Sequence, residues 1–160
     1  MKLLLGSLLL AGVCWLGAAM DFTTMSNFKS KKMTGEWHPV ANIVIEKQFP
    51  QYTLKAMPKG GLSYSYRYLA NGKCKARKFR FAEQGQAGKF KTTSQVTMQI
   101  LDTDYESYII TYVERGMDAF LTLASKEKTM SSDLETKFKE FASTAGITGE
   151  VVPVVPTETC

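Results

Sequence analysis

The sequence is poor in the side chains on which most metal and nucleophile chemistry depends. Its 160 residues include one histidine and three cysteines, too few for a zinc ribbon, a Cys–His hydrolase or a disulfide-dense miniprotein. It has no glycine-rich phosphate loop, and its net charge of +5 is small for a dedicated nucleic-acid binder. We therefore expect no metal, no cofactor and no nucleic-acid partner.

Apolar residues, by contrast, are plentiful. Hydrophobic residues make up 44% of the chain and charged residues 22%, a balance that supports a packed core and argues against disorder. The length corresponds to a single domain.

The first residues are typical of a secretory signal peptide. Lys2 precedes an apolar run over residues 3–16, and the small residues Gly17, Ala18 and Ala19 follow. We expect residues 1–19 to be removed, leaving residues 20–160 as one secreted domain. The run is too short for a transmembrane helix, although an uncleaved anchor is the alternative. Removal leaves two cysteines, which in an oxidising compartment could pair within the chain, pair between chains or stay free.

Alternating apolar and polar residues, separated by turn signals, predict about eight short strands. In the clearest strand, residues 62–69, the side chains of Leu62, Tyr64, Tyr66 and Tyr68 share one face. A hairpin signal follows at residues 71–72. The predicted strands span residues 35–45, 49–57, 62–69, 73–81, 89–93, 96–101, 105–113 and 117–125.

After the eighth predicted strand, the spacing of apolar residues becomes that of an α-helix. Ser131 or Ser132 can cap it, Leu134 and Phe138 recur at helical spacing, and Gly146 ends it. A short strand at residues 151–155 follows, which its proline restricts to a sheet edge. We therefore predict an all-β protein: an eight-stranded antiparallel up-and-down β-barrel with one C-terminal α-helix. A two-sheet sandwich is the alternative.

Two short motifs in this pattern carry a family resemblance. Gly35-Glu36-Trp37 lies in the first strand, and Thr103-Asp104-Tyr105 precedes the seventh. Together with the leader, the helix after the eighth strand and the cysteine positions, they make residues 21–160 resemble a lipocalin. Residues 102–110 are most similar to the prostaglandin-synthase-like and fatty-acid-carrying branches of that family.

The resemblance implies structural roles for these motifs. Trp37 would close the narrow end of the barrel, and Lys126 stands where lipocalins have an arginine that packs across the tryptophan. A disulfide between Cys74 and Cys160 is likewise implied. The implied structural residues are Gly35, Trp37, Thr103, Asp104, Tyr105 and Lys126.

The resemblance, combined with strand alternation, also implies a set of cavity residues. Arg77 has two readings, as an inward cation that pairs with an anionic head group or as a surface cation in a basic strand. The implied ligand-binding residues are Tyr64, Tyr66, Arg77, Phe79, Met98, Ile100, Ile109, Thr111, Val113, Phe120 and Ala124.

The function that this implies is extracellular binding and transport of a small hydrophobic molecule of the fatty-acid, retinoid, steroid or odorant class. Its partners would be that ligand and, in some roles, a cell-surface receptor, with the chain a monomer or weak dimer and no membrane insertion. Sequestration of an anionic ligand such as a siderophore is one alternative. A prostaglandin-isomerase-like enzyme is disfavoured, because the second strand lacks the cysteine that such chemistry requires. We expect no catalytic residue.

Overall fold

The computed structural model describes residues 22–44, 52–116 and 118–154, and antiparallel strands make up most of them. A short 3-10 helix, Ser30–Lys32, precedes the first strand, and one α-helix, α1 (Ser132–Thr144), follows the eighth. The strands are β1 (Glu36–Val44), β2 (Tyr52–Ala56), β3 (Leu62–Ala70), β4 (Lys73–Glu83), β5 (Lys89–Lys91), β6 (Thr97–Thr103), β7 (Tyr108–Arg115), β8 (Asp118–Ser125) and β9 (Val151–Pro153).

The sheet closes on itself through β1. Strands β2 to β8 pair in chain order, and β1 joins β8 back to β2. At its start β1 pairs with β2, where Trp37 lies opposite Leu54, and from His38 onwards its other edge pairs with β8. A bulge at Pro39 interrupts the β8 ladder, which suits a residue without a backbone N–H. The predicted eight-stranded antiparallel barrel is confirmed, and β9 occupies the edge of β1 that β2 leaves.

Alternation along the strands divides the apolar side chains into two cores. One fills the lumen and includes Trp37, Leu54 and Phe90. The other lies outside the barrel, where Ile110 and Leu123 pack against α1. Because β1, β7 and β8 are covered on both faces, their sequences read as nearly continuous apolar runs.

The helix begins and ends as its sequence predicts. The Ser131 hydroxyl accepts a hydrogen bond from the Leu134 N–H at 3.3 Å, and Gly146 follows the helix with a φ of 72°. Phe138 and Ala142 are buried against the barrel wall. Their four-residue spacing places both side chains on the face that covers the outer core. No helix among the described residues is long and apolar enough to cross a bilayer.

Trp37 and Lys126 meet at one end of the barrel. Trp37 is fully buried, and Phe28 and Met33 from the segment before β1 pack into the same core. The Lys126 Nζ lies 5.1 Å from the centre of the Trp37 ring and 3.5 Å from the Thr34 Oγ1. The lysine therefore supplies the cation over the tryptophan ring, in the place where the family resemblance puts an arginine.

The Thr-Asp-Tyr motif builds the turn between β6 and β7 at this same end. The Asp104 carboxylate accepts hydrogen bonds from the N–H groups of Glu106, Ser107 and Tyr108 at 2.8–3.2 Å and from the Ser107 hydroxyl. The Tyr105 ring stacks on Phe28, with ring centres 5.9 Å apart. The motif thus ties the turn to the segment that seals the base.

Some predicted boundaries were wrong, and others lie outside the described residues. The seventh strand was predicted from residue 105 but begins at Tyr108, because the Asp104 carboxylate holds the intervening amides in a turn. The fourth strand extends to Glu83, two residues beyond its predicted end. The predicted leader (residues 1–19), residues 45–51 between β1 and β2, and Cys160 fall outside the described part of the chain.

Replacing Asp104 with alanine should destabilise the barrel in a pH-dependent way. Partial burial opposes ionisation of Asp104, but hydrogen bonds from Ser107 and the neighbouring N–H groups lower its pKa from 3.8 to about 2. A carboxylate with a lowered pKa stabilises the fold above its unfolded pKa and loses that contribution as pH falls through its folded pKa. We expect Asp104→Ala to lower the free energy of unfolding by about 1 kcal/mol at neutral pH.

Urea unfolding of both proteins between neutral pH and pH 2 would measure this effect. The difference between wild type and Asp104→Ala should be constant above about pH 5 and shrink from there towards pH 2. A difference that does not change with pH would show that the Asp104 charge contributes nothing to the turn.

Candidate ligand-binding site in the barrel lumen

The lumen is lined by alternate residues of the barrel strands, as antiparallel pairing requires. Across β3 and β4, Leu62 lies opposite Phe81, Tyr64 opposite Phe79, and Tyr66 opposite Arg77. Trp37 marks the sealed base, and the β3–β4 turn at residues 71–72 lies at the other end of the strands, at the mouth of the barrel.

The structure brings the implied cavity residues to lumen-facing positions, at three levels of exposure. Tyr66 and Phe79 are partly buried and pack against the lumen core, whereas Arg77 is exposed. Contact between any of them and a ligand stays a prediction. The buried members of the set are Tyr64, Met98, Ile100, Ile109, Thr111, Val113, Phe120 and Ala124.

Arg77 combines features of both readings offered by the sequence. It lies opposite Tyr66 in the β-ladder, on the lumen-facing side of β4, but its side chain is exposed at the mouth. Its Nε donates to the Tyr68 hydroxyl at 3.4 Å, and this hydrogen bond lowers the pKa of the Tyr68 phenol. Arg77 therefore stands at the entrance and not inside the chamber.

Aromatic rings form a continuous cluster across β2, β3 and β4. Tyr52 stacks on Tyr64 with ring centres 4.3 Å apart, and Tyr66 stacks on Phe79 at 6.1 Å. The edge of Tyr64 also meets Tyr66 and Phe81, each at 6.0 Å. These offset and edge-on contacts are the favourable arrangements for aromatic pairs, so this wall presents a closely packed aromatic surface.

Buried hydroxyls interrupt this apolar interior. Tyr52, Tyr64 and Thr111 are 5%, 6% and 0% exposed, yet their hydroxyl oxygens make no hydrogen bond of normal geometry with any residue that the structure describes. Leaving a buried hydroxyl unpaired costs about 1–3 kcal/mol. The lumen thus holds three hydroxyls without a hydrogen bond of normal geometry, and of these the Tyr52 hydroxyl lies close to those of Thr111 and Thr122.

The protonation of the two phenols determines which groups they can bind. Burial raises the pKa of Tyr52 to about 12, with the nearby hydroxyls of Thr122 and Thr111 offsetting part of the rise. Burial also raises the pKa of Tyr64, and the neighbouring phenols of Tyr52 and Tyr66 add to that effect. Both phenols therefore keep their protons at physiological pH, so they are available as hydrogen-bond donors.

The opposite wall contributes further polar side chains that sequence reasoning missed. Thr122 lies between Asn42 of β1 and Thr111 of β7 in the β-ladders, and both Asn42 and Thr122 are buried. Tyr52 was also missed. Alternation of Tyr52, Leu54 and Ala56 in β2 would have placed the phenol on the lumen face, but Asn42 and Thr122 are single polar residues within apolar runs and carry no such signal.

The described residues contain no group of three histidine, cysteine, aspartate or glutamate side chains placed to hold a metal ion. The lumen groups described above are neutral hydrogen-bonding groups and aromatic rings. Such an arrangement can enclose an apolar molecule and orient its polar end.

Comparisons with known proteins agree with this architecture. Residues 34–158 match the Lipocalin / cytosolic fatty-acid binding protein family. The chain is similar to Epididymal secretory protein 4 of Zootoca vivipara, at 26% identity over 128 residues that cover 75% of this chain and 73% of the relative. It is similar to Prostaglandin-H2 D-isomerase of Ovis aries, at 28% identity over 178 aligned positions that cover 99% and 92%. It is also similar to Major urinary protein 20 of Mus musculus, at 25% identity over 141 residues that cover 78% of this chain and 76% of the relative.

The family match spans most of the chain, and the closed barrel with its helix agrees with it. The chain therefore belongs to the lipocalin and cytosolic fatty-acid binding protein family.

Proposed function

We propose that the protein binds and transports a small hydrophobic molecule outside the cell, with the ligand enclosed in the barrel lumen. Membership of the lipocalin family suggests binding of small hydrophobic ligands. The observation that carries the finer proposal is the set of three buried, unpaired hydroxyls of Tyr52, Tyr64 and Thr111. A ligand whose polar end reaches them would make hydrogen bonds that the lumen side chains do not make among themselves.

The chemistry of these groups narrows the ligand class. Protonated phenols donate hydrogen bonds, so the polar end of the ligand should be an acceptor such as a carbonyl, carboxylate or hydroxyl oxygen. The remainder of the ligand should be apolar, because it would lie against Met98, Ile100 and Ile109. Fatty acids, retinoids, steroids and odorants of this kind all meet both conditions.

An extracellular site of action is part of the proposal. The leader sequence supports it, and one relative is named an epididymal secretory protein. We also propose the Cys74–Cys160 disulfide. Cys74 is disulfide-bonded, and the third cysteine, Cys14, belongs to the predicted leader.

Two other functions are less well supported. Several relatives are named Prostaglandin-H2 D-isomerase, but β2 of this chain, Tyr52–Ala56, contains no cysteine to act as a thiolate nucleophile. Binding of an anionic chelate would require cations that converge in the lumen. Arg77 instead lies exposed at the mouth, and Lys126 is engaged with Trp37 at the base.

Native mass spectrometry of the protein recovered from its secretion, with titration by a fluorescent fatty-acid probe, tests the carrier function directly. We expect a co-purifying apolar mass that the probe displaces. Protein that carries no such mass and ignores every apolar probe would overturn the proposal.

Removing single lumen hydroxyls should change ligand affinity and protein stability in opposite directions. Tyr64→Phe deletes a buried hydroxyl that has no hydrogen-bond partner among the described residues, so the free energy of unfolding should rise by about 1 kcal/mol. Tyr52→Phe should raise it less, because the Tyr52 hydroxyl lies near those of Thr111 and Thr122. Affinity for a ligand that bonds to the missing hydroxyl should fall by about 2- to 10-fold. Thermal unfolding and probe titration measure the two effects.

Tyr68→Phe is the matched control, because it makes the same chemical change at the exposed mouth. It should alter neither quantity by as much. If the lumen variants bind the polar-ended ligand as tightly as wild type, the hydroxyls do not hold its polar end.

A charge placed on the lumen face should block uptake, whereas the same charge on the next residue should not. Tyr66→Glu places a carboxylate among the lumen aromatic rings, and Ser65→Glu places it on the outer face of β3, opposite Lys78. We expect probe binding to be lost in Tyr66→Glu and kept in Ser65→Glu, with both proteins folded by circular dichroism. Equal affinity in the two variants would mean that the inward face is assigned wrongly.

A further inference from the structure

The positive charge of the protein is concentrated on one wall of the barrel. Residues 52–82, which form β2, β3 and most of β4, contain eight lysine and arginine residues and no aspartate or glutamate. This leaves twelve lysine and arginine residues in the rest of the chain, against all fifteen acidic residues. The small net charge of the whole chain therefore conceals a strongly basic wall and an acidic remainder, which gives the molecule a charged side that an anionic partner could select.

The basic wall extends into a projecting hairpin. We call residues 67–78, the distal parts of β3 and β4 with their connecting turn, the hairpin tip. Among the described residues, β4 pairs with β5 only at Ala82 and Glu83, and the β2 ladder reaches β3 no further along than Tyr66. In the part of the chain that the structure describes, the hairpin tip is consequently a two-stranded ribbon with no third strand paired to it. Residues 71–78 are all exposed.

An apolar side chain stands among these cations. Leu69 is 59% exposed and is one of two large hydrophobic residues so exposed in the described chain. It lies directly opposite Cys74, on the same face of the ribbon. Lys73 and Lys75 precede and follow Cys74 in β4, so their side chains lie on the other face. Tyr68, beside Leu69, is partly exposed. The ribbon therefore carries cations on both faces, Arg67 and Lys78 on one and Lys73, Lys75 and Arg77 on the other, together with an exposed apolar side chain. This composition suits an anionic lipid surface, because headgroups neutralise the cations while the apolar group enters the interface.

We propose that the hairpin tip is a docking surface for an anionic lipid bilayer. The cations alone would suit any polyanion, but a soluble polyanion would leave Leu69 in water. The interfacial region of a bilayer satisfies both features, since the long lysine side chains can reach the headgroups from beside an inserted leucine. The docking is peripheral, and no element of the chain needs to cross the bilayer.

The position of the hairpin tip relates this docking to ligand transfer. The tip lies at the mouth of the barrel, at the end remote from Trp37, so docking would turn the mouth towards the lipid. An apolar ligand could then pass between bilayer and lumen with little exposure to water. The docking involves exposed residues only, so it does not depend on which ligand the lumen holds.

Vesicle co-sedimentation tests the proposal with two sets of variants that remove equal charge. The purified protein should bind phosphatidylcholine vesicles that contain phosphatidylserine, release them at high salt, and not bind vesicles of phosphatidylcholine alone. The triple variant K73Q/K75Q/K78Q should lose about 5-fold in partitioning for each lysine, or roughly 100-fold in all. The matched control K31Q/K128Q/K139Q removes three exposed lysines elsewhere and should lose far less. Equal losses in the two triple variants would overturn the proposal, because they would show a response to net charge alone.

Fluorescence of a Leu69→Trp variant tests the apolar contact. The only other tryptophan outside the leader is Trp37, which is buried, so the new residue dominates any change. We expect its emission to shift to shorter wavelength with vesicles that contain phosphatidylserine. Unshifted emission in sedimented protein, or binding to soluble heparin with none to vesicles, would show that the tip recognises a polyanion and not a bilayer.

Probe titration without vesicles separates this proposal from the carrier function. The hairpin-tip triple variant should bind the fluorescent fatty-acid probe as wild type does, because the substituted lysines are exposed. Loss of vesicle binding with full probe affinity is the expected result. Loss of both would instead mean that the substitutions disturb the barrel, and Leu69→Ser would then test docking without changing charge: unchanged vesicle binding in that variant would contradict the proposal.

Discussion

Closure of the sheet through β1 is the constraint on which the rest of the structure depends. β1 pairs with β2 at Trp37 and with β8 from His38 onwards, so a single strand joins the two ends of the meander. Once the sheet is closed, every second side chain must enter a shared interior. The lumen core, the aromatic wall and the buried hydroxyls all follow from that enclosure. The outer core follows from it too, since the wall formed by β7, β8 and β1 needs α1 to cover its second apolar face.

Enclosure also buries polar groups that a bound ligand could pair with. Most lumen residues are apolar and pack well, whereas Tyr52, Tyr64 and Thr111 carry hydroxyls that the fold leaves unpaired. A protein selected only for stability would gain from replacing them with apolar side chains of the same shape. In the proposed function a bound molecule completes these hydrogen bonds, so the cost of burying the hydroxyls returns as affinity and selectivity.

The two ends of the barrel differ in packing and in charge. At the base, Trp37 lies under the Lys126 ammonium, and the Asp104 turn is tied to the segment that carries Phe28. At the mouth, the β3–β4 hairpin projects as an exposed and basic ribbon. A ligand that enters the lumen would therefore pass the basic end, and the charge that surrounds this entrance can orient the whole protein before any ligand is exchanged.

The sequence by itself determined the local features. Alternation predicted the strands, a cap at Ser131 or Ser132 and the glycine at 146 bounded the helix, and two short motifs carried the family resemblance, which implied Lys126 as the partner of Trp37. The strands and the helix bounds depend on residues close together in the chain, so the sequence alone predicts them.

Only the tertiary structure decided which polar groups share the lumen. Asn42 comes from β1 and Thr122 from β8, at opposite ends of the meander, and closure brings them to one interior with Thr111 of β7. Tertiary structure likewise decided that Arg77 lies at the mouth. β4 continues beyond the last residue of β5 that pairs with it, so a side chain on the inner face of this part of β4 is in contact with water.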